Sequence, residues 1–290
     1  MEYVNLNGQL VRDADAKIHI SDLGLRRGYG AFEFFRVLRG VPVFIEDHLD
    51  RFENSSRAID LEVPYSRAEL EGFVRELIRA NNLQSAGIQL VLTGGYSEDI
   101  FTPGHPNLII APIALREYPP ALYQQGVKVI THRHEREIPE AKTTAYLTAV
   151  KLGPRMKAEG AAEVIYHDGK WVTEGARSSL GFVKDGVLVT AKDGVLPGIT
   201  RIHALRLAEQ LMPVEHRAFT LDELYAADEV FITSSTRGVM PVTRIDDRLV
   251  GNGQVGPKVS ALVKAFQAHV EEYVARHAAV DSRWSIANSQ

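Results

Sequence analysis

Trp171-Val172-Thr173-Glu174-Gly175-Ala176-Arg177-Ser178-Ser179 sets one carboxylate, Glu174, between a strand-like run and a glycine-containing turn. An acid in so apolar a setting calls for a partner, because burying an uncompensated charge is costly. Lys142 lies 32 positions upstream, and a Gly198-Ile199-Thr200 turn lies 24 positions downstream, just before a helix-like run. The rest of the chain is read outward from these three points.

Upstream, the pattern is mixed strand and helix. Asn7-Gly8 between Tyr3–Leu6 and Gln9–Val11 is a hairpin signal. Strands are expected over Ala31–Val37 and Val41–Ile45, joined by Arg39-Gly40, followed by a helix over Glu46–Ile59. Ser66 and Glu69 form a capping box ahead of Leu70, Phe73, Val74, Leu77 and Ile78 at helical spacing. Ile88–Leu92 and Leu108–Ile110 read as buried strands. Pro119-Pro120 marks a linker, so residues 1–116 form a small N-terminal domain, 117–125 a linker and 126–277 a larger domain. In the larger domain, strands are expected over Val127–Thr131, Ala162–Tyr166, Gly181–Thr190 and Glu229–Thr233, with helices over Tyr146–Glu159 and Ile202–Leu211. A last helix aligns Val259, Leu262, Val263, Phe266, Val270, Tyr273 and Val274; residues 278–290 read as a flexible tail. The fold class is therefore mixed α/β in two domains.

Composition removes several function classes. Cysteine is absent, which excludes disulfides, thiolate catalysis and cysteine-bound zinc or iron–sulfur centres, and agrees with a cytoplasmic location. A net charge of −4 gives no broad basic footprint for nucleic acid. Met1-Glu2-Tyr3-Val4-Asn5 has neither the basic nor the apolar region of a signal peptide. No apolar run reaches the roughly 18 residues of a membrane span. No metal site is expected.

Acid, amine and helix N-terminus are what a protein supplies to pyridoxal 5′-phosphate. The acid keeps the ring nitrogen protonated, the lysine makes the Schiff base, and the helix end holds the phosphate. Viewed alone, Lys142 in Glu137–Tyr146 is a solvated loop lysine, and Lys151, nine residues on, is a mid-helix rival. Viewed alone, Glu174 is a surface carboxylate. Gly198-Ile199-Thr200 is either an ordinary N-cap or a phosphate cup in which glycine permits close backbone approach. Thr233-Ser234-Ser235-Thr236 is a second hydroxyl-rich turn. Arg51, in His48-Leu49-Asp50-Arg51-Phe52, supplies charge to the phosphate or is a surface helix arginine; His48 reads as structural.

The order of these motifs resembles the class IV aminotransferases, the fold-type-IV pyridoxal phosphate enzymes. The group includes branched-chain aminotransferases, D-amino-acid transaminases and aminodeoxychorismate lyases. The resemblance runs from about Asn5 to about Val274. It is carried by His48–Phe52, Lys142 with Tyr146, Val172–Gly175, Leu196–Arg201, Ala227–Phe231 and Gly256-Pro257. It implies two α/β domains with the cofactor between them, in a homodimer acting on amino acids and 2-oxo acids. It implies Lys142 as the Schiff-base lysine and Glu174 at the pyridinium nitrogen. Arg51, Gly198, Ile199, Thr200 and Ser235 would hold the phosphate, Tyr146 would bond near the ring oxygen, and Leu196 would pack on the ring face.

Both usual substrate patterns are broken. The arginine of branched-chain enzymes is Gln89 here, and the arginine and histidine of the better-known D-amino-acid enzymes give way to Thr93-Gly94-Gly95. Arg177 and Arg27, the latter in Leu25–Gly30 and expected to come from the second copy of a homodimer, remain to hold the α-carboxylate or a side-chain carboxylate, an arrangement that resembles a less common bacterial group of D-amino-acid transaminases. Thr236 joins them as an expected substrate-binding residue. The expected function is ping-pong transamination between a D-amino acid, such as D-glutamate or D-alanine, and 2-oxoglutarate or pyruvate. The alternatives are an L-branched-chain aminotransferase, an aminodeoxychorismate lyase and a non-catalytic binding protein that keeps the fold.

Overall fold

A computed structural model describes residues 1–287, with side chains through residue 278. Two compact units emerge. The first comprises residues 1–116, 141–145 and the chain from Val270 onward; the second comprises 117–140 and 146–269. The stretch read as a linker thus belongs to the second unit, and Pro120–Gln125 within it is a short helix, α4. The residues from 279, on which most of the expected tail falls, have side chains outside the described part, although the final helix α8 is drawn as Pro257–Ala287.

The first unit holds a six-stranded sheet of β1 (Tyr3–Leu6), β2 (Gln9–Arg12), β3 (Gly30–Leu38), β4 (Val41–Pro42), β5 (Ser85–Thr93) and β6 (Asn107–Ile113). Their order is β2-β1-β6-β5-β3-β4. Asn7 (φ 53°) and Gly8 (φ 81°) are both left-handed, as the hairpin turn requires. The expected strand over Val41–Ile45 stops at Pro42, because Phe44 turns left-handed (φ 57°) and starts helix α2 (Ile45–Arg57). The capping box forms as expected at the head of α3 (Arg67–Ala80), Ser66 accepting from the Glu69 N–H. Phe35, Leu49, Phe52, Leu70, Leu77, Ile88, Leu90 and Leu92 are fully buried.

The second unit holds a nine-stranded sheet. Its strands are β7 (Val127–Arg133), β8 (Glu163–His167), β9 (Val172–Gly175), β10 (Ser179–Lys184), β11 (Val187–Thr190), β12 (Val214–His216), β13 (Glu229–Ser234), β14 (Gly238–Ile245) and β15 (Arg248–Leu249). The edge-to-edge path is β12-β11-β10-β13-β14-β7-β8-β9. Its core is the apolar face of these strands, with Phe182 and Phe219 edge-to-face at 4.9 Å. Helices α5 (Leu147–Ala158) and α6 (Ile199–Ala208) belong here; α6 begins at Gly198 rather than near Ile202.

Candidate active site

In the first unit, the segment from Ala141 is held to the sheet by its backbone. The Phe32 N–H donates to Lys142 O (2.8 Å), the Thr144 N–H to Gly30 O (2.9 Å), and Lys142 N–H to Ser55 Oγ on α2 (3.0 Å). Lys142 is half-buried, with Nζ 4.3 Å from the centre of the Phe32 ring. It is therefore a fastened residue, not a solvated loop lysine. The rival Lys151 lies exposed on α5.

Arg51 is also no surface arginine. It is 6% exposed and forks onto Glu33, with Nε to Oε2 at 2.9 Å and Nη2 to Oε1 at 2.6 Å, while His48 Nδ1 meets Oε1 at 3.0 Å. Such a bidentate pair fixes a guanidinium's plane as well as its charge. Burial would raise the Glu33 carboxyl, but Arg51 and His48 outweigh it and hold it well below the usual carboxylate range. Glu33 escaped the sequence reading. Its signal was an acid in phase with Ala31, Phe35 and Val37, the buried face of β3.

The second unit gathers the other expected residues. Glu174 lies within β9, 4% exposed; Arg136 Nη1 donates to its Oε1 (2.7 Å) and the Leu196 N–H to its Oε2 (3.2 Å). The partner that an embedded acid demands is thus Arg136, which the sequence reading missed because it lies 38 positions away. Burial, then Glu163 and Tyr146, push the nearby Tyr166 hydroxyl up to about 12, so it stays a neutral phenol at physiological pH. Tyr146 is the half-buried residue capping α5.

Three elements converge beside Gly198. Helix α6 starts there with no side-chain cap, so its first-turn N–H groups lack a capping side-chain acceptor. Ser179 on β10 pairs with Thr233 on β13, and a Cβ on Gly198 would stand 2.5 Å from Ser179 Oγ. Thr233 Oγ1 is buried with no hydrogen-bond partner among the described residues. Past it, Ser235 and Thr236 are half-buried, with the Thr236 hydroxyl 3.3 Å from that of Ser234. An uncapped helix end, an orphaned hydroxyl and a cradle that only glycine leaves open suit a phosphate. The groups present therefore fit pyridoxal 5′-phosphate.

Arg177 is exposed and makes no hydrogen bond or ion pair among the described residues, although Glu174 and Ser178 in the same turn are buried. In the first unit, Arg27 at the end of α1 (Leu23–Arg27) is exposed too; among the described residues its one hydrogen bond is to the Arg26 carbonyl (3.0 Å), and it lies 5.2 Å over the Phe101 ring. Gln89 is half-buried on β5, opposite Phe34. A groove of about 780 Å³ lined by Arg57, Asp60, Tyr65 and Arg67 contains none of the expected site residues.

Residues 30–245 match the family model of the class IV aminotransferases. The chain belongs to that family. It is 34% identical over 276 residues to a putative branched-chain-amino-acid aminotransferase of Methanocaldococcus jannaschii, covering 91% of this chain and 95% of that protein. It is equally 34% identical over 280 residues to a D-alanine aminotransferase of Staphylococcus epidermidis, covering 94% and 99%. Among solved structures, the Escherichia coli branched-chain amino acid aminotransferase superposes with a TM-score of 0.85 at 32% identity, covering 92% and 94%. The T.th. branched-chain enzyme with pyridoxamine 5′-phosphate gives 0.86 at 28% identity, covering 93% and 94%. The chain is accordingly a pyridoxal-phosphate-dependent aminotransferase. Among the described residues no helix is long and apolar enough to cross a membrane.

Proposed function

We propose that this enzyme transfers the amino group of a D-amino acid to a 2-oxo acid, with 2-oxoglutarate or pyruvate as acceptor. The observation that carries the reading is Arg177: an unpaired guanidinium held in the turn that also presents Glu174. A free arginine at such a place is a fork waiting for a carboxylate. Gln89 removes the strand arginine that the resemblance associates with branched-chain enzymes.

When bound, the cofactor supplies an electron-poor ring that stabilises negative charge at the substrate Cα. Lys142 Nζ would hold it and would accept and return the proton at the substrate Cα. Glu174 holds a proton at the ring nitrogen and is itself oriented by Arg136 and the Leu196 N–H. Leu196 and Tyr146 are the residues that would pack against and hydrogen-bond the ring, as the resemblance implies. The Ile199 and Thr200 N–H groups and the Thr200 and Ser235 hydroxyls would take the phosphate, with Gly198 leaving room for it; the resemblance adds Arg51, which Glu33 orients within the first unit. Arg177 and Thr236 orient the substrate carboxylate, joined by Arg27 of a second copy. The cycle is ping-pong: one 2-oxo acid leaves before the second enters. The exposed apolar pair Leu147 and Val150 (82% and 72% exposed), one turn apart on α5, supports a homodimer. The absence of cysteine supports a cytoplasmic setting.

The competing L-branched-chain reading draws on the M. jannaschii relative, whose identity equals that of the D-alanine enzyme. Half-reactions decide between them. The cofactor-loaded enzyme is mixed separately with D-glutamate, D-alanine and L-leucine, and its visible spectrum is followed. The D-amino acids should bleach it; bleaching by L-leucine alone overturns the proposal.

A further inference from the structure

The second unit contains a buried ion pair with no role in the chemistry above. Arg237 and Glu163 are 6% and 0% exposed, with Arg237 Nη1 2.9 Å from Glu163 Oε2. Each end of the pair is attached to a different turn. On the Glu163 side, the Ser178 hydroxyl donates to the same Oε2 (3.2 Å), and Ser178 O accepts from the Gly175 N–H (2.6 Å). That closes the Glu174–Ser178 turn around the carboxylate. A side chain at Gly175 would collide with both Ser178 Oγ and Glu163, so the turn is packed directly on the pair. On the Arg237 side, the residue itself ends the 234–237 turn, its N–H donating to Ser234 O (3.2 Å). Its carbonyl accepts from Tyr123 Oη (2.8 Å), and its Nη2 donates to Ala162 O (2.9 Å), the residue before Glu163.

We infer that the Arg237–Glu163 pair is a positioning device that locks the Arg177 turn to the Ser235–Thr236 turn. The inference rests on the roles proposed above for Arg177, Ser235 and Thr236. Neither Arg237 nor Glu163 is placed against substrate; both act through Ser178 and through the backbone of the 234–237 turn. Carboxylate-binding groups from two loops work together only if their spacing is set in advance, because a mobile pair loses ordering entropy with each binding event. A short strand end and a four-residue turn do not supply that rigidity by themselves, whereas a buried, multiply bonded arginine does.

The test uses the cofactor-loaded enzyme and three variants, Ser178→Ala, Glu163→Gln and Arg237→Lys. Ser178→Ala removes one neutral hydroxyl and leaves the ion pair intact, so it stays folded even if the charged-pair variants do not. Four quantities are read: KM and kcat for the amino donor, cofactor retention, and the rate of tryptic cleavage after Arg177, whose exposed side chain is followed by a buried, fastened Ser178. Ser178→Ala should raise KM and the cleavage rate each roughly tenfold, the equivalent of one hydrogen bond to a charged group, with kcat little changed. Glu163→Gln should exceed it and also weaken cofactor retention. Arg237→Lys should fall between wild type and Glu163→Gln, because it keeps the charge but not the second hydrogen bond. Faster cleavage with unchanged KM supports the lock and overturns the substrate role of Arg177 instead. Wild-type KM and wild-type cleavage in folded Ser178→Ala and Glu163→Gln proteins overturn the inference.

Discussion

Arg136 Nη1 stands 2.7 Å from Glu174 Oε1, and the Leu196 N–H lies 3.2 Å from the other oxygen of the same carboxylate. Glu174 is thus given its direction and counter-charge by the protein alone. Arg136→Met leaves a carboxylate that is 4% exposed without its guanidinium. Stability of the cofactor-free protein should fall by about 1–3 kcal/mol. If Glu174 faces the ring nitrogen as proposed, that nitrogen, protonated, would offer a replacement positive partner and the loaded enzyme should lose less. Paired melting curves, with and without cofactor, check this; equal losses would remove Glu174 from the ring nitrogen. Glu174→Gln should lower kcat by about 10² or more with the cofactor still bound, by loss of a preorganised charge.

Lys142→Ala should abolish transamination, a fall of at least about 10³, and with it the visible band of lysine-linked cofactor. The fold should survive, because the segment is anchored through backbone groups on Phe32 and Ser55 rather than through the amine. Ser55→Ala probes that anchor. It should leave the visible band in place and slow turnover by roughly tenfold, as one hydrogen bond is lost. A Lys142→Ala enzyme that keeps both band and activity would transfer the role to Lys151.

Local rules account for what could be read ahead of the structure. The Asn7-Gly8 hairpin, the Ser66–Glu69 capping box and the strand over Ala31–Val37 depend on neighbours in the chain, and all three are found. Phe44 shows the limit: a β-propensity run from Val41 to Ile45 is cut by a left-handed residue that no composition rule signals. Residues 141–145 carry no strand pattern, yet they join the first unit through the Ala31–Thr143 bridge. The site divides in the same way. Lys142, Glu174 and the Gly198 turn are local motifs. Arg136, Glu163 and Arg237 are legible only through partners 38 and 74 positions distant, and the period of β3 marks Glu33 as buried without naming Arg51, 18 positions on, as its partner. An isolated acid or arginine in a sequence does not say what it faces.

The stripe of Leu147 and Val150 on α5 yields a test of assembly. A double substitution, Leu147→Glu with Val150→Glu, should move the sedimentation mass from two chains to one, because charges replace apolar area that a second copy would cover. Activity should fall with it if Arg27 of the second copy completes the carboxylate site. A double variant that remains dimeric and active assigns the interface elsewhere.

The Glu33–Arg51–His48 cluster gives acid a specific target in the first unit. Burial, with the Arg51 and Lys142 charges, outweighs Glu33 and sets His48 below its ordinary value near 6.5, so the folded protein keeps a neutral imidazole donating Nδ1–H to Glu33. Below pH 6.5 the unfolded chain binds a proton that the folded chain refuses, and stability falls with pH. Glu33 is likewise held below its ordinary value near 4.5, so stability is lost further as pH drops through that range toward its folded value. Both shifts have the same sign: the melting temperature should decline from about pH 6.5 downward and more steeply below about pH 4.5. His48→Gln should flatten the first limb, retaining an amide donor to Glu33. Glu33→Gln should flatten the second and cost about 3–5 kcal/mol near neutral pH, because the buried Arg51 loses its counter-charge. If the two variants melt with the wild-type pH profile, acid sensitivity originates outside this cluster.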